Sequence, residues 1–158
     1  MFFLDNIKAQ ETAERFGTPT YVYDEKILRM RCRDLIDSFK GCLKPSYSAK
    51  ANSNLTLLKI IKEEGLYADA MSLGEIFTLQ NAGFRADEIF YIGNNVSADE
   101  MLYAAKQGIL VSVDSLSQLE TFGKINRGGK VAMRFNAGLG AGHCDKVVTT
   151  GPEQKFAL

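Results

Sequence analysis

A lysine that ends a predicted buried strand is the first residue of this sequence that could do chemistry. Residues 46–49, SYSA, are typical of a short strand, and Lys50 follows them before the sequence breaks into ANSN. An ammonium group buried without a partner costs on the order of several kcal/mol or loses its proton more readily. Lys50 therefore lies at the solvent end of its strand, or it is placed there for chemistry.

Polar side chains also follow the later strands of the predicted sheet. They are Asp69 and Ser72, Asn94 and Asn95, Asp114 and Ser115, and Arg134 and Asn136. A buried guanidinium needs a fixed anionic or planar partner, and Asp69 is a candidate partner for Arg134. A structural salt bridge would explain that pair as well. The serines are most simply helix caps, and Asp114 most simply orients a turn.

Short apolar runs alternate with helical segments, and these elements must position the polar residues. The runs cover residues 47–49, 67–71, 89–92, 109–113 and 131–135. Between the runs, apolar residues recur at helical intervals, as at Leu55, Leu58 and Ile61. The pattern predicts five strands that alternate with four helices.

Capping residues mark the ends of the predicted helices. Ser72 with Glu75, and Ser97 with Glu100, have the spacing of capping boxes at helix starts. The glycines expected to end the helices in a left-handed conformation are Gly65, Gly83, Gly108 and Gly123. The unit repeats after about twenty residues, so each helix must pack back on its own strand.

Alternating strand–helix units of this size predict a parallel sheet with right-handed crossovers, either an open doubly wound sheet or a (β/α)8 barrel. A dinucleotide-binding open sheet would carry GxGxxG after its first strand, and that motif is absent there. In a barrel, functional residues collect at the C-terminal ends of the strands. A barrel would therefore bring Lys50 and the later polar residues to one rim.

The composition is that of a soluble globular protein, with 46% hydrophobic and 24% charged residues in a chain of 158. The 19 basic residues balance the 19 acidic ones, and no basic stripe indicates a nucleic-acid partner. Three scattered cysteines without CxxC spacing argue against a disulfide framework or a zinc site. Because only four apolar residues precede Asp5, we expect a cytoplasmic protein without a signal peptide or membrane span.

Several ordered motifs resemble those of the fold type III pyridoxal-phosphate enzymes, and among them the diaminopimelate decarboxylases most closely. The motifs are YSAKAN at residues 47–52, ADAMSLGE at 68–75, YIGNNVS at 91–97, VDS at 113–115, RFN at 134–136 and TGPEQKF at 150–156. Asp69 follows Lys50 by nineteen residues. Because the motifs recur in order over nearly the whole chain, the resemblance is far more specific than one short pattern.

The resemblance implies a pyridoxal 5'-phosphate cofactor and assigns roles to individual residues. Lys50 matches the family lysine that forms the internal aldimine with the cofactor. Ser48 matches a small residue beneath the cofactor ring. Asp69 and Arg134 match positions that line the cofactor near the ring and the Schiff base. The resemblance implies no metal ligand.

The resemblance also implies a division into domains. Residues 1–24 match the opening segment of a second, β-rich domain, with a strand at residues 17–24. Residues 25–158 match the N-terminal part of a pyridoxal-phosphate-binding (β/α)8 TIM-type barrel, a fold of about 250 residues, so the C-terminal strands and the β domain are expected to be missing. Asn136 is expected on the substrate side, and His143, in a glycine-rich loop, is expected on the substrate side or in a structural role.

The activity implied is decarboxylation of meso-diaminopimelate to L-lysine, in lysine biosynthesis, by a homodimer that acts on a small amino acid. The 158-residue chain alone is expected to be inactive. Another fold type III enzyme is the first alternative, either a different basic amino-acid decarboxylase or an alanine racemase-like enzyme. The second alternative is assembly with another copy or with a separate second-half chain. The third is a cofactor-free module in which Lys50, Asp69 and Arg134 form only an ion network.

Overall fold

The computed structural model describes residues 6–39, 41–140, 148 and 151, and it shows an α/β architecture. The strands are β1 (Ser46–Ser48), β2 (Tyr67–Ala70), β3 (Ile89–Tyr91), β4 (Leu110–Val113) and β5 (Val131–Met133). The helices are α1 (Asn6–Phe16), α2 (Glu25–Ser38), α3 (Leu55–Glu63), α4 (Leu73–Asn81), α5 (Ala98–Lys106) and α6 (Leu116–Ile125).

The five strands form one parallel sheet in the order β1-β2-β3-β4-β5, with one of the helices α3 to α6 between each consecutive pair. This confirms the predicted alternation of five strands with four helices. Within the described residues the sheet does not close into a barrel, because β1 and β5 form its two edges. Two further helices, α1 and α2, precede β1.

The two faces of the sheet carry different side chains, because successive residues of a strand point to opposite faces. One face packs against helices α3 to α6 and forms the apolar core; its residues include Ala68, Ala70, Ile89, Tyr91, Val111 and Val113. The helices contribute Leu58, Ile61, Ile76, Leu79, Met101 and Phe122 to the same cluster. The opposite face carries Ser48, Asp69, Phe90, Ser112 and Ala132, which line a pocket. The core therefore supports the sheet from one side, and the other face carries the pocket.

The predicted helix caps are confirmed at the start of α4 and α5. The Ser72 hydroxyl accepts a hydrogen bond from the Glu75 amide at 3.2 Å, and Ser97 and Glu100 form a reciprocal capping box. The predicted capping box at Ser72 is incomplete, because the Glu75 side chain accepts from the Met71 amide at 2.7 Å. The expected left-handed glycines are confirmed after α3, α4 and α5, at Gly65, Gly83 and Gly108, with φ of 88°, 97° and 80°.

The predicted end of α6 at Gly123 is wrong. Helix α6 continues to Ile125, and the Asn126 amide still donates to the Phe122 carbonyl at 2.8 Å. Phe122 is buried and Ile125 packs against the core, so the helix covers apolar surface by continuing past Gly123 to Ile125. The left-handed glycine is instead Gly128, with φ of 74°, in the turn before β5.

An ionic network fastens α2 to the end of α3. Arg29 contacts Glu63 at 2.7 Å and Glu64 at 2.9 Å, and Arg33 contacts Glu64 at 2.6 Å. The Glu64 side chain is only 7% exposed. Hydrogen bonds from Arg33 and then Arg29 lower the pKa of Glu64 to about 2. The network therefore holds α2 against the end of α3.

Residues 17–24 form neither helix nor strand, although a strand is predicted there. A strand requires a neighbour that completes its hydrogen bonds. No described strand pairs with this segment, and Tyr21 is 91% exposed. Asp24 caps α2 by accepting from the Ile27 amide at 3.0 Å. The predicted division into domains at residue 24 stays a prediction. None of the described helices is long and apolar enough to cross a membrane.

Candidate active site

A pocket of about 480 Å³ lies at the C-terminal ends of the strands, on the face opposite the helices. Its lining residues are Ser48, Lys50, Asp69, Met71, Phe90, Ile92, Asn94, Ser112, Ala132, Met133 and Arg134. Four of the predicted site residues, Ser48, Lys50, Asp69 and Arg134, are therefore brought together. They come from β1, β2 and the end of β5, which lie far apart in sequence.

Lys50 reaches the pocket from a short 3₁₀ turn, Ala49–Ala51, that directly follows β1. Ala49 is fully buried whereas Lys50 is exposed, so the turn moves the chain from the core to the rim within one residue. The ammonium group is therefore solvated at the end of its strand. Among the described residues, none forms a hydrogen bond or an ion pair with the Lys50 side chain, which leaves the amine available to a ligand.

Asp69 is held in place by a hydrogen bond from the neighbouring strand. The Ser48 hydroxyl donates to Oδ1 of Asp69 at 2.8 Å, and the register of β1 and β2 places the two residues opposite each other. Sequence reasoning assigned Ser48 only by its small size. The missed role depends on the register between strands, which no local pattern in the sequence reveals.

Arg134 continues the hydrogen bonding between β4 and β5 by one residue, because its backbone amide donates to the Val113 carbonyl at 2.9 Å. Its half-buried side chain lines the same pocket as Asp69, with strands β3 and β4 between them. A cation and a carboxylate thus face one cavity from opposite parts of the sheet. The predicted meeting of these two residues at one rim is a feature of the structure.

A tight loop after β3 places Asn94 in the pocket, so this residue lies at the predicted rim, although the sequence assigned it no role there. A side chain at Gly93 would overlap Cγ1 of Val96 and come within 3.0 Å of the Tyr91 ring, so only glycine fits. Asn95 adopts a left-handed conformation with φ of 55°. The GNN sequence was a signal for such a turn, because glycine and asparagine tolerate these conformations.

Tyr91 supports this loop from the core. Its side chain is fully buried, and its hydroxyl has no hydrogen-bond partner among the described residues. Burial raises the pKa of Tyr91 to about 12, and the nearby carboxylates of Glu100 and Glu75 add to the effect. The hydroxyl is therefore neutral at physiological pH. Because it is buried without a described hydrogen-bond partner, it lowers the stability of the fold.

Other polar residues predicted near the rim are used elsewhere. The Ser115 hydroxyl accepts from the Gln118 amide at 3.3 Å, so the predicted capping role is confirmed. Asp114 lines a separate cavity of about 650 Å³ that shares Asn94 with the Lys50 pocket. Its backbone amide donates to the Gln118 side chain at 3.0 Å, which closes the turn.

Asn136 and His143 were expected on the substrate side. The Asn136 side chain accepts from the Gly138 and Gly151 amides and donates to the Gly151 carbonyl, with all three distances between 2.8 and 3.0 Å. This amide therefore joins two segments of backbone and does not line the Lys50 pocket. His143 lies outside the described residues. Within the described ranges, no group of three His, Cys, Asp or Glu side chains could hold a metal ion.

Comparison with known proteins gives consistent results over nearly the whole chain. Residues 25–158 match a family model described as the pyridoxal-binding domain of pyridoxal-dependent decarboxylases. The chain is 42% identical to a diaminopimelate decarboxylase of Methanothermobacter thermautotrophicus over 154 residues, which are 95% of this chain and 36% of that protein. It is 35% identical to a diaminopimelate decarboxylase of Staphylococcus aureus, over 98% of this chain and 38% of that protein.

A solved structure has the same arrangement of strands and helices. It is the diaminopimelate decarboxylase of Helicobacter pylori complexed with L-lysine, with a TM-score of 0.87 and 29% identity. The superposition covers 94% of this chain and 39% of that one. The chain thus spans little more than a third of the length of the relatives that it matches.

Proposed function

The chain belongs to the pyridoxal-dependent decarboxylases by its pyridoxal-binding domain, and we propose that it supplies the Lys50 side of the active site in an amino-acid decarboxylase. The observation that carries the proposal is the convergence of Lys50, Asp69 and Arg134 on one pocket at the strand ends. The proposed substrate is meso-diaminopimelate, which loses carbon dioxide to give L-lysine. This choice is supported by the names of the similar proteins and by the L-lysine complex of the H. pylori structure.

The pocket suits pyridoxal phosphate in size and chemistry. Its volume of about 480 Å³ is that of a typical small-molecule site. Lys50 offers an amine to the aldehyde, and the fixed carboxylate of Asp69 and the guanidinium of Arg134 offer charged hydrogen-bonding groups. Phe90 and Ile92 supply apolar surface for a ring. When bound, the cofactor would supply an electron sink for the electron pair left as carbon dioxide departs.

Each of these residues has a specific task in the proposed site. The Lys50 amine is the nucleophile, and its exposed position at the rim lets an aldehyde reach it. Ser48 directs the Asp69 carboxylate with its 2.8 Å hydrogen bond, so the negative charge keeps one orientation inside the pocket. Arg134 presents a planar set of donors suited to phosphate, carboxylate or phenolate oxygens. Together they would hold an anionic, ring-shaped ligand beside a reactive amine.

The cellular setting and assembly belong to the same proposal. We assign the complete enzyme to the cytoplasm, as a homodimer with a small-molecule substrate and no nucleic-acid or membrane partner. The balanced charge of the chain, with 19 basic and 19 acidic residues, supports the absence of a nucleic-acid partner. The domain boundary at residue 24 is part of the proposal as well.

The proposed cofactor site is tested by adding pyridoxal phosphate to the chain, reducing with borohydride and locating the modified lysine by mass spectrometry. We expect Lys50 to be labelled in preference to exposed helix lysines such as Lys59 and Lys106. Lys50→Ala should abolish the preferential label, and Lys59→Ala is the matched control. Equal labelling of all exposed lysines would refute the site.

The substrate is tested in a chimera. The matching 154-residue region of the M. thermautotrophicus relative would be replaced by this chain, and carbon dioxide release would be measured with meso-diaminopimelate, L-ornithine and L-arginine. We expect release from meso-diaminopimelate that disappears with Lys50→Ala. A soluble chimera that prefers L-ornithine or L-arginine would contradict the proposed substrate.

A further inference from the structure

The turn that carries Lys50 is followed by Asn52, which forms three hydrogen bonds with other parts of the chain. The side-chain amide of Asn52 donates to the Tyr23 hydroxyl at 2.8 Å. Its side-chain oxygen accepts from the Asn54 amide at 2.9 Å, and its backbone carbonyl accepts from the Tyr47 hydroxyl at 3.2 Å. These contacts tie Asn52 to the segment before α2, to β1 and to the start of α3.

These contacts leave the backbone around Lys50 little freedom. On one side of the turn Ala49 is fully buried in the core, and on the other side Asn52 is held by its three partners. Tyr47 is half-buried, and burial raises its pKa, so its hydroxyl stays a hydrogen-bond donor. Lys50 therefore stands on a three-residue turn that is anchored at both ends.

The direction of the Lys50 side chain depends on this anchoring. A lysine has four rotatable bonds and loses much conformational freedom when it is confined. No described residue holds the Lys50 amine by a hydrogen bond or an ion pair. Its direction into the pocket is thus set by the backbone from which it projects.

We propose that Asn52 is a positioning residue for Lys50 and that the hydroxyls of Tyr23 and Tyr47 act through it. This inference rests on the proposed function, since it concerns how Lys50 meets a cofactor aldehyde. It makes Tyr23 part of the active-site support, although Tyr23 precedes α2 and lies outside the Lys50 pocket. Tyr23 and Asn52 also line two other cavities, of about 310 and 570 Å³.

Two variants with matched controls test the inference. Tyr23→Phe removes only the hydroxyl that accepts from Asn52, and Tyr21→Phe is its control, because Tyr21 is 91% exposed two residues earlier. Asn52→Ala removes the side-chain contacts with Tyr23 and the Asn54 amide. Asn54→Ala is its control for stability, since Asn54 caps α3 through the Thr56 and Leu57 amides without contacting Tyr23.

The first readout is the rate of reductive labelling of Lys50 by pyridoxal phosphate, relative to Lys59 and Lys106 in the same chain. Loss of one hydrogen bond corresponds to about a fivefold change in an equilibrium. We expect Tyr23→Phe and Asn52→Ala to lower the relative labelling of Lys50 by about fivefold each, with a double variant no worse than Asn52→Ala. The second readout is the visible circular dichroism of the loaded chain, which reports a fixed orientation of the bound cofactor. It should weaken in both variants and persist in Tyr21→Phe.

The outcomes separate this inference from the proposed function. If Lys50 is labelled preferentially in the unmodified chain and both variants leave that labelling unchanged, the role of Asn52 is overturned and the proposed function is retained. If Asn54→Ala lowers the relative labelling of Lys50 as much as Asn52→Ala does, at an equal loss of thermal stability, then Asn52 acts only through folding. Absence of preferential labelling in the unmodified chain would remove the proposed function and this inference with it.

Discussion

A methyl group added at Gly93 tests whether the loop after β3 is as tight as the structure shows. The Cβ of Gly93→Ala would overlap Cγ1 of Val96 and lie 3.0 Å from Cζ and 3.1 Å from the hydroxyl of Tyr91. The Tyr91 ring is fully buried and cannot move into solvent. Either the loop shifts outwards or Val96 leaves its position against the core.

The magnitude follows from the cost of overpacking, which is about 1–3 kcal/mol. We expect Gly93→Ala to lower the free energy of unfolding by about 2 kcal/mol. The matched control is Gly123→Ala, because Gly123 lies inside α6 with no atom within 4 Å of an added Cβ. Alanine stabilises a helix by about 0.5–1 kcal/mol relative to glycine, so the control should change stability in the opposite direction.

Urea unfolding followed by far-ultraviolet circular dichroism measures both changes. The double variant Gly93→Ala with Val96→Ala removes the closest clash and should recover part of the loss. The same shift would move Asn94, so relative labelling of Lys50 by pyridoxal phosphate should also change. A Gly93→Ala chain as stable as the unmodified one, with Gly123→Ala stabilised as expected, would refute the packing of this loop.

Two further substitutions and one change of pH have expected effects on the stability of the fold. Ser48→Ala should lower the free energy of unfolding by about 1 kcal/mol, because it removes a hydrogen bond to a charged group, and an unchanged urea midpoint would contradict the Ser48–Asp69 contact. Glu64 has its pKa lowered from 4.5 to about 2, so its pairing stabilises the fold above pH 4.5 and is lost as the pH falls towards 2. The urea midpoint should therefore fall over that range, and the fall should be smaller in Glu64→Gln; equal falls would exclude a role for this group. Tyr91→Phe should raise the free energy of unfolding by about 1 kcal/mol, because it removes a buried hydroxyl without a described partner. A lower melting temperature for Tyr91→Phe would show that this hydroxyl has a hydrogen-bond partner.

Much of the fold could be predicted because its signals are local. The strands are short apolar runs, and the caps Ser72 and Ser97 act on amides three residues away. The wrong prediction that α6 ends at Gly123 also came from a local signal. Local sequence identifies a glycine that could end a helix, whereas the packing of Phe122 and Ile125 decides that the helix continues.

The candidate site was predictable only in part. The motif around Lys50 and the positions of Asp69 and Arg134 indicated which residues could meet, because the C-terminal ends of parallel strands share one edge. The hydrogen bond from Ser48 to Asp69 required the register of two strands, and the contacts of Asn52 required the path of the segment before α2. The hydrogen bonds of Asn136 with the backbone of Gly151 could not be predicted either, because the two residues are 15 positions apart; its place on the substrate side stays a prediction.

The sequence by itself determined the class of fold, the alternation of its elements and the choice of Lys50 as the candidate reactive lysine. These depend on residue type and on spacing along the chain. Only the tertiary structure decided which side chains form hydrogen bonds with Asn52, two residues after that lysine, and with the carboxylate of Asp69. The physical reason is that hydrogen bonds act over about 3 Å in space, whatever the separation in sequence. Tyr23 and Asn52, which are 29 residues apart, meet only after α2 packs against α3.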